Sequence, residues 1–126
     1  MKIDIKPMSV NVAWQGKRFK TPEYKAYAQH VKLLLKPLEL PEPPYTLVFE
    51  WGFSNPQADY DNPIKPFQDI LQDYYGFNDR DIEVGIQIKR VVPKGEEYVK
   101  FRFLPAFDLS ALFDIGENEV FEIVSE

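Results

Sequence analysis

The stretch IEVGIQIKRVV, residues 82–92, alternates apolar and polar side chains, and the turn segment PKGE, residues 93–96, follows it. Strict alternation predicts a strand with one apolar face, and the turn predicts that residues 98–103 return beside it as a second strand. The apolar side chains expected to share one face of the first strand are Ile82, Val84, Ile86 and Ile88. This hairpin makes a β-sheet the expected centre of the fold.

Two helices are predicted before the hairpin. Each begins with an N-cap residue followed by proline, Thr21-Pro22 in the first and Asn62-Pro63 in the second. These residue types satisfy the free amides of a first helical turn and preset its backbone angle. The first helix is expected to extend to about residue 36, and Gly76 is expected to end the second.

Strands are also predicted at residues 2–6 and 45–53, so the element order is β-α-β-α-β-β. This order predicts a single small α+β domain, residues 1–104, in which two main helices cover a mixed sheet. Residues 105–126 are an acidic and apolar C-terminal extension, which we expect to pack on the domain or on a partner.

Composition restricts the chemistry of any metal site. The 126 residues include no cysteine and one histidine, which excludes thiolate sites and sites of several imidazoles within one chain. The ligands would be mostly oxygen, which suits Mg²⁺, Mn²⁺ or Ca²⁺. Neither a membrane span nor a signal peptide is apparent, so we expect a cytoplasmic protein without a membrane partner.

The net charge of −5 argues against a nucleic-acid partner, because most nucleic-acid-binding domains are basic. The distribution weakens this objection, since residues 105–126 carry six acidic and no basic side chains. The basic residues that could follow phosphates along the first helix and the loop before it are Lys17, Arg18, Lys20, Lys25 and Lys32. The alternative is an ordinary solvated helix face.

The residues with catalytic potential lie in DYDNPIK, residues 59–65, and NDRDI, residues 78–82. Asp59 and Asp61 stand two residues apart before a helix and can face one point. Asp79, near the start of the next strand, is expected to close on the same point. Three carboxylates would supply hard oxygen ligands for Mg²⁺. Lys65, one turn into the helix, could reach a scissile phosphate.

Each part of this set has a simpler interpretation. Asp59 and Asp61 could cap the helix and interact with its dipole. Asp79 could be a solvated turn residue, and Lys65 could form a surface ion pair with Asp69 four residues later.

The order Asp-x-Asp-Asn-x-x-Lys-x-x-x-Asp-x-Leu, followed by an acid before an apolar strand, resembles the RusA family of Holliday junction resolvases. The matching residues are Asp59, Asp61, Asn62, Lys65, Asp69, Leu71, Asp79 and Ile82. Ser9-Val10-Asn11 is similar to the family's N-terminal Ser-x-Asn stretch, and the resemblance covers about residues 7–104. Asn78 stands where the family usually has another acid, and Ala58 where it often has a basic residue.

The resemblance implies a homodimeric endonuclease, encoded by a bacterium or a phage, that cuts four-way DNA junctions with Mg²⁺ or Mn²⁺. Asp59, Asp61 and Asp79 would be its metal-binding catalytic carboxylates, and Lys65 its catalytic lysine. Two alternatives stay open. One is a weak or inactive module that binds branched DNA and recruits a partner through its tail, and the other is a nuclease selective for flaps or single strands.

Aromatic residues add two expectations. Trp14 and Phe19 lie among basic residues and are expected to pack in the core, with stacking at a DNA branch point as the alternative. In the tail, residues 108–114 predict a helical turn or a docking loop, and residues 119–124 a short strand. Its acids either face water while the apolar residues pack, compete with DNA for the basic surface, or dock a protein partner.

Overall fold

A four-stranded mixed β-sheet organises the chain. The computed structural model describes residues 1–15, 19–114 and 116. The strands and helices, in chain order, are β1 (Lys2–Ile3), α1 (Val10–Ala13), β2 (Trp14–Gln15), β3 (Phe19–Lys20), α2 (Pro22–Leu34), β4 (Tyr45–Phe53), α3 (Ile64–Tyr75), β5 (Ile82–Val91) and β6 (Tyr98–Pro105). Short 3-10 turns occur at Asp79–Asp81 and Ser110–Asp114.

The main sheet has the strand order β1-β6-β4-β5. The prediction that residues 98–103 pair beside residues 82–92 as a hairpin is therefore wrong, because β4 lies between β5 and β6 and pairs with both. β4 and β5 are parallel, whereas β6 is antiparallel to both of its neighbours, β4 and β1. A parallel pair requires a crossover connection, which α3 supplies. The predicted α+β class, with two main helices and a mixed sheet, is therefore confirmed.

The predicted start of α2 is confirmed, but the helix ends slightly earlier than predicted. Thr21 caps the helix by accepting a hydrogen bond from the Tyr24 amide at 3.1 Å, with Pro22 in the first turn. The helix ends at Leu34, before the expected residue 36.

The start of α3 differs from the prediction. Asn62 is not its N-cap: the helix begins at Ile64, the capping position is Pro63, and no side chain caps it. The Ile64 amide instead donates to the Asp61 carbonyl at 3.2 Å. Gly76 ends the helix with a φ of 74°, a left-handed conformation that glycine adopts without strain, as expected.

Both long helices pack on one face of the sheet. Phe67 of α3 is completely buried, and its ring lies edge-on to Phe49 and Trp51 of β4 at centroid distances of 5.9 and 5.7 Å. Phe101 of β6 lies 5.9 Å from the same ring. Removing an aromatic ring from such a core costs about 3–5 kcal/mol. These contacts hold α3 against β4, and with it the loop that joins them.

The opposite face of the sheet is left uncovered by α2 and α3. The apolar side chains of β5 that point to this open face are Val84, Ile86 and Ile88. The prediction that Ile82 shares their face is wrong. The register shifts so that Ile82 pairs with Tyr45 but Val84 pairs with Thr46, and this extra residue turns Ile82 toward the core.

A polar cluster around Glu50 occupies part of the open face. The Tyr98 hydroxyl donates to the Glu50 carboxylate at 2.7 Å, and Lys100 and Arg90 lie 3.3 and 3.8 Å from it. Burial alone would raise the pKa of Glu50. The hydrogen bonds from Tyr98 and Lys100, together with the charges of Lys100 and Arg90, outweigh burial and lower that pKa.

Residues 9–20 contain structure that the sequence did not predict. The short helix α1 is followed by β2 and β3, which pair antiparallel. Trp14 is half-buried and packs against the core, but Phe19 is 70% exposed, so the prediction that Phe19 is a core residue is wrong.

The extension begins where β6 ends at Pro105. Ser110–Asp114 forms the expected turn, although Phe113 in that turn is 91% exposed. The predicted strand at residues 119–124 lies outside the described residues. Among the residues that the structure describes, no helix has both the length and the apolar character needed to cross a membrane.

The close approach of Gly52 to Tyr98 gives a first prediction. A Cβ atom at Gly52 would lie 2.5 Å from the Tyr98 ring. Gly52→Ala must therefore displace the ring that bonds Glu50, and we expect it to lower the free energy of unfolding by about 1–3 kcal/mol in denaturant titrations. Gly85→Ala is the matched control, because a Cβ at Gly85 meets nothing within 4 Å. Equal effects of the two substitutions would contradict the steric account.

The lowered pKa of Glu50 gives a second prediction, because a carboxylate whose pKa is lower in the folded than in the unfolded state stabilises the fold above the unfolded-state pKa. That contribution disappears as pH falls through the lower, folded-state pKa. We expect Glu50→Gln to reduce the melting temperature at pH 7. The difference from the native chain should shrink in acid, below the usual glutamate pKa of about 4.3. A deficit that is independent of pH would contradict the electrostatic origin.

Candidate functional site

The loop of residues 54–63 connects β4 to α3 and contains the aspartate motif. It leaves the sheet at Phe53, whose carbonyl accepts a hydrogen bond from the Val92 amide at 2.7 Å. Lys89 of β5 reaches across and donates to the carbonyls of Pro56 and Ala58 at 2.7 and 2.6 Å. A buried or partly buried cation with two carbonyl acceptors holds a loop in one position. Lys89 therefore fixes the segment directly before Asp59.

Asp59 and Asp61 are both exposed, and neither caps α3. The Asp59 carboxylate accepts one long hydrogen bond, from the Asn62 side-chain amide at 3.4 Å. The Asp61 carboxylate has no side-chain partner among the described residues. The simpler interpretation, in which these side chains cap the helix, thus does not account for them, and only the long bond to Asn62 occupies either carboxylate.

A cleft of about 290 Å³ lies against the motif loop, and Asp59 is part of its wall. Lys6, Ser9, Ser54 and Asn62 also line it. The Val10 amide donates to the Asn62 carbonyl at 2.9 Å, so the Ser9-Val10-Asn11 segment is docked on the motif. The cleft therefore joins a carboxylate to a lysine and hydroxyl donors, a combination suited to a phosphodiester near a cation.

Lys65 does not face the motif carboxylates. Its ammonium pairs with Asp69 one turn later, 3.1 and 3.2 Å from the two carboxylate oxygens. The Lys65 side chain is 61% exposed and the Asp69 side chain 19%. This is the surface ion pair that the sequence offered as the simpler interpretation. Lys65 could act in catalysis only after its side chain rotates away from Asp69.

Asp79 lies at the other end of the sheet from Asp59 and Asp61. It immediately precedes β5, whose first residue pairs with Tyr45 at the start of β4, whereas the motif loop follows the end of β4. β4 has nine residues, which at the usual rise corresponds to about 26 Å. The expectation that Asp79 closes on the same point within one chain is thus not met. In the described parts of the chain, no group of three His, Cys, Asp or Glu side chains could hold a metal ion.

The oxygen donors still fit a hard divalent cation in part. Asp59 and Asp61 are exposed carboxylates on one anchored loop. Magnesium is commonly held by one or two carboxylates, with waters and substrate phosphates as the other ligands. One chain therefore offers two of the three predicted carboxylates.

The predicted nucleic-acid surface is only partly described, because Lys17 and Arg18 lie outside the described residues. Lys20, Lys25 and Lys32 line a groove between α2 and α3, together with Asp69 and Asp73. Lys32 forms an ion pair with Asp73, which lowers the pKa of that carboxyl group. Part of the positive charge in the groove is thus neutralised within the protein.

Tyr24 lies in this groove near charges of both signs. Burial, together with the negative charges of Asp69 and Asp73, raises the pKa of its hydroxyl to about 12. The Lys20 ammonium lies over the Tyr24 ring at 4.8 Å and over the Trp14 ring at 5.8 Å. Lys20 and Lys25 are the described cations of the groove that have no ion-pair partner within it.

Two residues of the site were not identified from sequence. Lys89 falls within the alternation of β5 on the side opposite Ile88, where a lysine is an ordinary exposed residue. Lys6 lies beyond the first strand, far in sequence from the motif. Only the pairing of β5 with β4 and the docking of residues 9–11 on Asn62 bring them to the loop.

In comparisons with known proteins, no family model matches this chain and no curated protein matches it.

The bridge made by Lys89 leads to a third prediction. Lys89→Met keeps the aliphatic stem but removes both hydrogen bonds to the motif loop. We expect the free energy of unfolding to fall by about 3 kcal/mol, the lower limit for two bonds, since hydrogen bonds to charged groups contribute about 1.5–3 kcal/mol each and Lys89 is only partly buried. We also expect faster amide hydrogen exchange at residues 55–62. Lys94→Met, in the exposed β5–β6 turn, serves as the control, and unchanged exchange in the motif loop would contradict the assignment.

Proposed function

We propose that this protein is a Mg²⁺-dependent endodeoxyribonuclease that cleaves branched DNA, with four-way junctions as its principal substrate. The observation that carries the proposal is the state of Asp59 and Asp61. Both are exposed on a loop that Lys89 anchors, and neither is used to cap α3. Asp61 has no side-chain partner in the described part of the chain and Asp59 has only the long hydrogen bond from Asn62, so both carboxylates can turn to a divalent cation at little cost.

A divalent cation held by Asp59 and Asp61 would lower the pKa of a water nucleophile and stabilise charge on the scissile phosphate. The protein's own residues would orient the substrate. Lys6, which lines the same cleft as Asp59, would bind a phosphate oxygen next to the cleavage position. Ser9 would donate a hydrogen bond to the same phosphodiester.

DNA outside the cleavage position would follow the groove between α2 and α3. Lys65 pairs with Asp69, and Asp69 lines the groove together with Lys20 and Lys25, so the three lysines lie in or beside the groove. Contacts of this kind position a duplex through its phosphates without reading its sequence. Lys65 would exchange Asp69 for a phosphate on binding, and an exposed pair of this kind is worth only about 0.3–0.5 kcal/mol.

The homodimer expected from the family resemblance gives Asp79 a possible role. Because Asp79 is about one sheet length from Asp59 in its own chain, it can act on the same cation only if a second copy supplies it. The proposal therefore assigns Asp59 and Asp61 to one subunit and admits Asp79 of the partner subunit as a third carboxylate. Paired incision of a four-way junction would also require two subunits.

A second candidate is a module that binds branched DNA without cleaving it. The ion pair of Lys65 with Asp69 and the distance of Asp79 from the other carboxylates favour it. Its lysine groove would bind DNA in the same way, and Mg²⁺ would have no effect on strand integrity. Incubation with a synthetic four-way junction, a flap and a linear duplex, with and without Mg²⁺, separates binding from cleavage and ranks the substrates.

Asp61→Asn is the direct test of the carboxylate assignment. We expect Mg²⁺-dependent cleavage of the junction to fall by at least about a thousandfold, equivalent to some 4 kcal/mol of transition-state stabilisation. The asparagine removes the charge but keeps the size of the side chain, and because Asp61 has no side-chain partner the melting temperature should not fall. Asp114→Asn is a control acid remote in sequence from the motif. Cleavage near the native rate by Asp61→Asn would refute the assignment.

A mixing experiment examines the dimer. Asp61→Asn and Asp79→Asn chains should each be inactive alone if both residues serve the same site. Co-refolded mixed dimers would then regain cleavage at one of their two sites, because one site receives Asp61 and Asp79 both intact. Activity of Asp79→Asn alone would remove Asp79 from the reaction while leaving Asp59 and Asp61 in it.

A further inference from the structure

The open face of the sheet combines an apolar strip with basic side chains. Val48 of β4 and Ile88 of β5 line a groove of about 400 Å³ with Lys2, Lys100 and Arg102. Ile86 pairs with Val48 and continues the strip. None of the three aliphatic residues packs against the core formed by α2, α3 and the other face. A half-buried aliphatic strip of this kind is typical of a surface that receives another segment.

Positive charge is in excess around this groove. Glu50 is engaged by Tyr98, Lys100 and Arg90. Arg102 has no ion-pair or hydrogen-bond partner among the described residues. Its guanidinium can therefore donate two hydrogen bonds to a carboxylate of a segment bound in the groove, in the bidentate geometry that arginine favours.

The chain after β6 already passes beside one end of the open face. The Ala106 amide donates to the Pro44 carbonyl at 2.9 Å. Phe107 and Leu109 then line a depression with Val84, the first open-face residue of β5. Thr46, which pairs with Val84, is completely buried although it points away from the helices. The extension is thus directed onto this face from the β5 end.

The sequence of residues 117–126, ENEVFEIVSE, complements the groove. It has four acidic residues, no basic residue and four large apolar ones. The apolar residues are Val120, Phe121, Ile123 and Val124. Ten residues are more than enough to cover the strip from Val84 to Ile88, which at the usual strand rise is about 13 Å long.

We propose that residues 117–126 dock on the open face of the sheet in the same chain, with their apolar side chains on Val48, Ile86 and Ile88 and their carboxylates at Lys100 and Arg102. The docked segment covers the aliphatic strip and neutralises the cations beside it. The assignment is independent of the nuclease proposal, because the open face lies opposite the helices and their lysine groove.

The absence of cysteine makes a spin-label experiment direct. A nitroxide on Ser125→Cys in the full chain should broaden the methyl signals of Val48, Ile86 and Ile88 so that they lose most of their intensity. The methyl signals of Val31, buried under the helices, should be retained. A label on Gln29→Cys, exposed on α2, is the matched control and should spare the open-face signals.

Charge reversal gives the second arm. Lys100→Glu with Arg102→Glu should restore the broadened signals in the labelled full chain, whereas Lys25→Glu with Lys36→Glu should not. Spectra of each unlabelled variant establish that it is folded. Undiminished open-face signals in the labelled native chain would overturn the proposal. Broadening that appears only when spin-labelled chains are mixed with isotope-labelled chains would assign the groove to the tail of a second copy and overturn docking within one chain.

Discussion

β4 and β5 are parallel neighbours, and a parallel pair cannot be joined by a tight turn. The chain must return from the end of β4 to its beginning, and α3 makes that return on the helical face of the sheet. Twelve helical residues cover about 18 Å, which is most of the length of β4. The contacts of Phe67 with Phe49 and Trp51 hold the crossover in place. The loops before and after α3 therefore lie at opposite ends of the sheet. The first contains Asp59 and Asp61, and the second contains Asp79.

The same pairing determines which side chains reach the motif. Lys89 lies near the end of β5 and faces the helical side, next to Trp51 in the neighbouring strand. Its ammonium consequently meets carbonyls of the loop that leaves β4. A lysine at an ordinary exposed position in the alternation is thus an anchor of the loop, and the anchor depends on register rather than on local sequence. A shift by one residue would turn Lys89 to the open face and leave the loop without it.

Local sequence signals predicted most of the helices and strands, but they did not predict which strands pair or in which register. Thr21-Pro22, Gly76 and the alternation of β5 each act within a few residues, and helices and strands formed where they indicated. The parallel direction of β4 and β5 is a long-range property, and so is the extra residue that turns Ile82 inward. Asn62 was a good candidate cap by type, but its side chain bonds Asp59 instead. The proximity of Asp59 and Asp61 followed from spacing, while the remoteness of Asp79 followed only from topology.

Net charge is a weak guide to the partners of this protein because its charges are separated by the fold. Beyond about 8 Å at physiological ionic strength, exposed charges are largely screened from one another. The acids of the tail would therefore influence the proposed binding of DNA at the α2–α3 groove only from positions beside that groove. The groove has its own internal acids, Asp69 and Asp73, which hold Lys65 and Lys32. A phosphate backbone that binds there must compete with these two acids for Lys65 and Lys32. Affinity for DNA should thus depend on these local pairs and on salt concentration more than on the overall charge of −5.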